Sequence, residues 1–329
     1  MRLPTDRLRD HVPLPAEMND LLVTARADTA AGCWSDVRTL LADRELEREE
    51  RPELAVYLAE AEMRLGEPTL ARQLLLAAIP SLEHGAADEV LRRATNILGA
   101  ANFALGEIER AEAAFGRALE LAYAAGDLLL VARVMNNLGA IANVRGARER
   151  ALALYRLSLP AYERLECTVG LAETRHNIAI TYRDLRCWAE AEAHERRALA
   201  LAREAREPRL EQMARVGLAE LSLLRGNPAG ADGDATRAAV ACASTTDPVG
   251  EADALRLVGA ARAAIGECEG ALDVLERAVA LARRHGCTLI EAEALHVRAE
   301  LYDRCGMAGE AARDREAAGE LRARLGAGT

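Results

Sequence analysis

Four asparagines recur along a period of about 40 residues, and their amide groups could bind a peptide. Asn136 follows Asn96 by 40 residues, and Asn177 follows Asn137 by 40 residues. A carboxamide offers both a hydrogen-bond donor and an acceptor, so a row of them can pair with the backbone of an extended peptide without requiring a particular sequence. The spacing therefore predicts a polypeptide-binding surface.

Arginines stand close to these asparagines in the sequence and predict a second kind of contact. Arg93, Arg133 and Arg183 could each bind a carboxylate through two parallel hydrogen bonds. The alternative is that such side chains only bond to a neighbouring helix end, as polar residues at helix ends often do. The predicted partner-binding set is Arg93, Asn96, Arg133, Asn136, Asn137, Asn143, His176, Asn177 and Arg183.

The residues needed for common catalytic sites are missing from the sequence. All 42 basic residues are arginine, so there is no lysine for a Schiff base, a pyridoxal anchor or a phosphate-binding loop. The chain has no Gly-x-Ser-x-Gly, Gly-x-Gly-x-x-Gly or His-Glu-x-x-His motif. We therefore expect a protein that is not an enzyme and that has no cofactor.

The seven cysteines are spread over the whole chain without a Cys-x-x-Cys pair. An odd, scattered set does not indicate disulfides. A zinc site built from Cys287, His296 and Cys305 is conceivable, but structural zinc sites usually take their ligands in close pairs. We therefore expect small buried thiols and no metal.

Composition and charge limit the partners further. The net charge of -10 and the pI near 5.3 disfavour binding to a phosphate backbone. No run of 18 apolar residues occurs, and the N-terminus lacks the apolar core of a signal peptide. These features predict a cytoplasmic protein that binds neither nucleic acid nor a membrane. The all-arginine, alanine-rich composition is typical of GC-rich bacteria.

The elements that must position the asparagines follow from a 40-residue repeat. Glycines stand at 66, 106, 146, 226, 266 and 306, and the one missing member of the series falls at Arg186. Alanine follows each of these seven positions by five residues, from Ala71 to Ala311. Apolar residues between these marks have helical spacing. Each repeat is therefore predicted to be two helices joined at the glycine, which takes the left-handed conformation.

The pattern resembles the tetratricopeptide repeat in its long, 40-residue form. The best match in sequence is the unit with Leu98, Gly99, Ala111, Phe115 and Ala118. The resemblance implies an all-α fold, a right-handed superhelical α-solenoid of about eight helical hairpins. It specifies the fold more strongly than the function.

We expect a single solenoid over residues 16–325, between a lead segment at 1–15 and a tail at 326–329. The polar last helix, with Arg315, Glu316 and Glu320, is typical of a solubilising cap and predicts a monomer. The units are expected near 16–50, 51–86, 87–126, 127–166, 167–206, 207–246, 247–286 and 287–325.

The first helix of each hairpin is expected to line the concave side, where a partner would bind. This groove is predicted to be polar and basic early, apolar near Met213, Val216 and Leu223, and acidic late. We therefore expect a non-catalytic adaptor that binds a peptide or a helical segment of a partner protein. The alternative is a regulatory sensor that responds to a small ligand or signalling peptide and acts through a separate effector chain.

One helix is predicted to be the softest part of the array. The second helix of the sixth unit contains Gly230 and Gly233. Glycine inside a helix costs about 0.5–1 kcal/mol relative to alanine. We therefore expect faster amide exchange in this helix than in its neighbours.

Overall fold

A computed structural model describes residues 15–84 and 88–326, and this part of the chain is all-helical. Prolines begin six of the helices, at positions where a missing backbone N–H costs nothing. The helices are α1 (Pro15–Ala31), α2 (Trp34–Leu41), α3 (Glu45–Glu50), α4 (Pro52–Arg64), α5 (Pro68–Glu83), α6 (Asp88–Ala104), α7 (Ile108–Ala125), α8 (Leu128–Val144), α9 (Arg148–Arg164), α10 (Thr168–Asp184), α11 (Trp188–Glu204), α12 (Pro208–Leu224), α13 (Pro228–Ser244), α14 (Pro248–Ile265), α15 (Cys268–Arg284), α16 (Thr288–Arg304) and α17 (Ala308–Arg324).

Consecutive helices from α4 onward pack as antiparallel hairpins, beginning with α4 and α5 and ending with α16 and α17. The even-numbered helices also contact one another, from α4 against α6 to α14 against α16. They form a continuous inner layer, and the odd-numbered helices cover it. The predicted α-solenoid is confirmed. Within the described residues, no helix is long and apolar enough to cross a lipid bilayer.

The turn inside each hairpin is set by one left-handed residue. Gly66, Gly106 and Gly146 have φ of 80°, 75° and 78°. Arg186, where the glycine series is interrupted, also has a positive φ of 59°. The hairpin geometry therefore persists through the fifth unit despite the strain that a side chain adds in this conformation.

The turns between hairpins also contain one left-handed residue each, but the sequence shows this second series less clearly. Left-handed residues recur at Gly126, Glu166, Arg206, Thr246 and Gly286, again at a spacing of 40 residues. Together the two series place a left-handed turn every 20 residues. Because three members of the second series carry side chains, the glycine pattern alone does not reveal it.

The solenoid curves until its last units contact its early ones. His285 Nδ1 lies 2.8 Å from the carbonyl oxygen of Gly66, and Arg324 donates to the carbonyl oxygen of Leu105 at 3.0 Å. Leu325, which is 1% exposed, packs in the same apolar cluster as Phe115 and Ile141. These contacts join residues about 220 positions apart and close the concave side into a ring.

The cysteines differ in part from the expected buried thiols. Cys242 and Cys287 are buried, and burial raises the pKa of each thiol to about 12. Cys305 is exposed, and the other four are partly exposed. Cys33, Cys167 and Cys187 occupy N-cap positions and Cys305 a C-cap position, but the buried Cys287 is also an N-cap residue, so the turn position alone does not set the exposure.

Candidate functional site

The four periodic asparagines pair with one another across adjacent inner helices. Asn137 on α8 donates from Nδ2 to Oδ1 of Asn96 on α6 at 3.2 Å, and Asn177 on α10 donates from Nδ2 to Oδ1 of Asn136 on α8 at 3.1 Å. We call this arrangement the amide ladder. Each bond uses only part of the capacity of an amide, so donors and acceptors remain along the ladder.

The three arginines of the predicted set have different surroundings. Arg93 donates to Glu60 at 2.6 Å and stacks on the ring of Tyr57, and Arg183 pairs with Glu220 and Asp184. Arg133 is exposed and has no hydrogen-bond or ion-pair partner within the described residues. Of these three cations, Arg133 is the one available to an incoming carboxylate.

His176 lies one residue before Asn177 but is partly buried and paired with the buried Glu195. Its Nδ1 lies 2.9 Å from Oε1 of Glu195 on α11, whose side chain is 2% exposed. Burial lowers the pKa of His176, but the Glu195 carboxylate and Asp253 together raise it, and the net shift is upward. Burial raises the pKa of Glu195 despite the histidine. Glu195 also fills the space beside Gly217, where an added Cβ would lie 2.2 Å from Oε1.

A network of ion pairs, absent from our sequence expectations, occupies the later inner helices. We call it the ion ladder. Arg256 on α14 contacts Asp253 at 2.8 Å, Glu293 on α16 at 3.4 Å and Glu220 on α12 at 3.5 Å. Although burial opposes it, Arg256 and Arg183 lower the pKa of Glu220. The ion pairs therefore link four helices, although burial raises the pKa of Glu293 despite Arg256.

The ion ladder overturns the expectation of an apolar middle to the groove. Val216 is 4% exposed and lies in the apolar core, and Leu223 packs against the same cluster. Both side chains face away from the groove, because the packing of inner helices against outer helices buries the residues between them. Charged residues take the middle of the concave side instead.

Two pockets open on the concave side near the amide ladder. The smaller, the amide pocket, has a volume of about 310 Å³ and is lined by Asn96, Asn136, Asn137 and Arg133, among others. The larger, the central cavity, has a volume of about 800 Å³. Residues of α8 and α10 line one side of it, and residues of α16 and α17 line the other. The bond between Asn136 and Asn177 links the two pockets, since each residue lines one of them.

Asn143 lies in the central cavity and is 8% exposed. Its Nδ2 donates to Oδ2 of Asp184 at 3.1 Å, and its Oδ1 is buried without a partner. No three His, Cys, Asp or Glu residues of the described ranges gather as metal ligands.

The comparisons with known proteins agree with this architecture. Residues 131–166 and 171–208, which span α8 to α11, match the model of the tetratricopeptide repeat. These two stretches carry tetratricopeptide repeats. The matched repeats hold Asn136, Asn137 and Asn177, so much of the amide ladder lies within them. No curated protein sequence matches the chain.

Solved structures share the fold of these tetratricopeptide repeats over nearly the whole chain. The Rap conjugation gene regulator of plasmid pLS20, in complex with the Phr* peptide, is 12% identical, covers 94% of each chain and has a TM-score of 0.70. A Rap protein complexed with competence and sporulation factor is 15% identical over 94% of this chain and 96% of its own, with a TM-score of 0.61. Aspartyl phosphate phosphatase F from Bacillus subtilis is 12% identical over 97% and 98%, with a TM-score of 0.53. At identities this low, the structural similarity shows a common fold and nothing further.

Proposed function

We propose that this protein is a non-catalytic interaction module that binds a peptide or helical segment of a partner protein on its concave side. The amide ladder carries this proposal. Its asparagines are held by their mutual bonds and keep further donors and acceptors for a ligand backbone. The solved Rap regulator with a bound Phr* peptide has the same fold and supports a peptide as the ligand.

The proposal includes the wider set Arg93, Asn96, Arg133, Asn136, Asn137, Asn143, His176, Asn177 and Arg183, with different roles. The asparagines would contact the ligand backbone, and Arg133 would bind an acidic group. Arg93, Arg183 and the partly buried His176 would hold neighbouring side chains in place, because each is already paired.

We further propose that the protein is bacterial, cytoplasmic and monomeric and that it does not bind nucleic acid. The net charge of -10 supports the exclusion of nucleic acid. The alternative, a regulatory sensor that responds to a small ligand or signalling peptide and acts through a separate effector chain, is not favoured. For a small ligand, the ladder geometry is a poor match, because it suits an extended backbone better than a small metabolite. Catalysis is also not proposed, although one protein with the same fold is named a phosphatase.

The test is peptide binding by the full chain and by Asn136→Ala/Asn137→Ala/Asn177→Ala. A displayed library of random peptides is selected on the wild type, and the affinities of the enriched peptides are measured by calorimetry. Loss of about three hydrogen bonds, each worth about 1 kcal/mol, should weaken binding about 100-fold.

Asn102→Ala is the matched control, since Asn102 is buried on α6 and lines neither pocket. Circular dichroism verifies that each variant keeps its helices. If the triple variant binds as tightly as the control, the amide ladder is not the binding site. If no peptide is enriched on the wild type, the proposed function is wrong.

A further inference from the structure

Two cysteines lie at neighbouring turns of the last two hairpins. Cys268 is the first residue of α15, and Cys305 follows α16 as its C-cap residue, 37 positions later along the chain. Cys305 is exposed and Cys268 is partly exposed. Both thiols are therefore within reach of a small molecule in the solvent.

The repeat geometry brings these two positions together. Cys305 is equivalent to Arg225, two units earlier, and to Arg145, four units earlier. Arg225 contacts Glu192 on α11 at 2.6 Å, and Arg145 contacts Glu109 on α7 at 2.8 Å. A side chain at this position therefore faces the beginning of the outer helix of the preceding hairpin. In the last unit the other cysteine stands at that place.

Two interactions connect the turns that carry the cysteines. Arg304 donates to the carbonyl oxygen of Ala263 at 3.0 Å, which ties the residue before Cys305 to the end of α14. Local desolvation and a hydrogen bond with the thiol of Cys268 raise the pKa of the Cys305 thiol. The two sulfur atoms are therefore neighbours across the boundary between the hairpins.

Apolar packing holds the two helices together beside the cysteines. Leu301, one turn before Cys305, is 1% exposed and lies in one cluster with Ala271 and Leu275 of α15. Cys268 packs against the same cluster. Because this packing already brings α15 and α16 together, a bond between the two sulfur atoms requires little movement of the helices.

We propose that Cys268 and Cys305 are a reversible redox site, at which a low-molecular-weight disulfide oxidises the two thiols to a cross-link that fastens the last hairpin to its neighbour. The thiolate of Cys305, the more exposed of the two, attacks the small disulfide, forms a mixed disulfide and releases one small thiolate. The thiolate of Cys268 then attacks the Cys305 sulfur and displaces the second small thiolate. The two protons lost by the cysteines pass to the two small thiolates. The inference is independent of the proposed function.

The cross-link acts on the closure of the ring. The last hairpin packs on only one neighbour along the array, and the end units of a solenoid open most readily. This hairpin also carries Leu325 and Arg324, which contact the early units. A bond between Cys268 and Cys305 therefore helps to keep both contacts in place. In reducing compartments such disulfides are typically transient and redox-sensing.

The test incubates the full chain with oxidised glutathione at a pH of about 8, where a larger fraction of each thiol is ionised, and stops the exchange by alkylation. Trypsin cleaves after Arg262 and Arg304 and places the cysteines in the separate peptides 263–277 and 305–313. Mass spectrometry should find these two peptides joined. We expect at least about 10-fold more cross-link than mixed disulfide at Cys305.

Cys268→Ser is the decisive variant, because Cys305 should then stop at the mixed disulfide. Cys187→Ser is the matched control. Cys187 is also partly exposed at the beginning of an outer helix, but the position equivalent to Cys305 in the next unit is Arg225. The control variant should keep the cross-link, and in the wild type Cys187 should be recovered as a mixed disulfide.

Hydrogen exchange measures what the cross-link does to the last hairpin. Amides of α16 and α17 should exchange at least about 10-fold more slowly after oxidation, and reduction with dithiothreitol should restore the faster rate. In Cys268→Ser/Cys305→Ser, oxidised glutathione should leave these rates unchanged. Circular dichroism verifies that the variants keep their helices.

Three results would overturn the redox site: a mixed disulfide that persists at Cys305 in the wild type, no oxidation of Cys305, or a bond from Cys305 to a different cysteine. A cross-link between two chains, seen as a dimer in the intact mass, would also overturn it. A cross-link that leaves the exchange of α16 and α17 unchanged would show that it does not fasten the last hairpin, and the proposal would fail on that ground.

Discussion

The early and late parts of the inner layer use equivalent repeat positions for opposite purposes. The position of Asn96 and Asn136 is taken by Arg256, which lies four and three units later at 40 residues per unit. The position of Arg93 and Arg133 is taken by Asp253 and Glu293. Both arrangements bond laterally between neighbouring helices.

The difference lies in what each arrangement leaves unused. The charges around Arg256 are already paired with one another. The ion ladder therefore holds the helices together and leaves few free charges for a partner. Amides of the early part remain neutral when paired and keep hydrogen-bonding groups. One backbone geometry can therefore provide a structural seam in one region and a recognition surface in another.

Removing the central cation should give the largest effect on stability. In Arg256→Met the carboxylates of Asp253, Glu220 and Glu293 lose their shared partner and remain close together. We expect a loss of about 3–5 kcal/mol in the free energy of unfolding, measured by urea denaturation. Asn136→Ala, the equivalent change in the amide ladder, should cost only about 1–2 kcal/mol. Equal losses would show that the two ladders do not differ in this way.

The pair of His176 and Glu195 lies between the two ladders and should make stability depend on pH. Both pKa values are raised in the folded protein, so the folded state binds more protons than the unfolded chain and stability falls as pH rises. The fall begins above the ordinary value of 4.5 for Glu195 and continues above 6.5 for His176.

For this prediction the slope is at most about 1.4 kcal/mol per pH unit for each proton. Thermal or urea unfolding at several pH values from about 5 to about 9 measures this slope. His176→Gln/Glu195→Gln should lack this part of the slope. A double variant with the slope of the wild type would place the titrating groups elsewhere.

The smallest expected effect concerns α13, which supports the late ladder from the outside. An added Cβ at Gly233 would approach only the Arg237 side chain, at 3.7 Å, so Gly233→Ala should stabilise the protein by about 0.5–1 kcal/mol. At Gly230 a Cβ would lie 2.4 Å from the capping side chain of Asn227, and Gly230→Ala should not stabilise it. Urea denaturation measures both changes. Amide exchange over α13 tests whether this is the softest helix, and rates equal to those of α11 and α15 would contradict it.

The sequence predicted the solenoid because its signals are local. Glycine and alanine at fixed spacing determine where helices end and how closely they pack. The turns at Glu166, Arg206 and Thr246 carry no such signal, since side chains adopt the left-handed conformation there under the constraint of the surrounding hairpins. The helix boundaries are thus easier to predict from the sequence than the complete series of turns.

The candidate site was less predictable because its partners are distant in sequence. Residue type identified the asparagines, but not that Arg93 and Arg183 are already bound to acids 33 and 37 residues away. Arg322 of α17 reaches the central cavity only through curvature accumulated over many repeats. Small rotations between units decide that curvature, and no single motif encodes them.

Closure of the ring also constrains how this architecture can evolve. An open array can gain or lose a hairpin at little cost, because each unit contacts only its neighbours. Here the contact of His285 with Gly66 and the burial of Leu325 require a particular number of units between them. Duplication of one repeat would displace both contacts together, so the number of hairpins between them must stay constant if the contacts are to be kept.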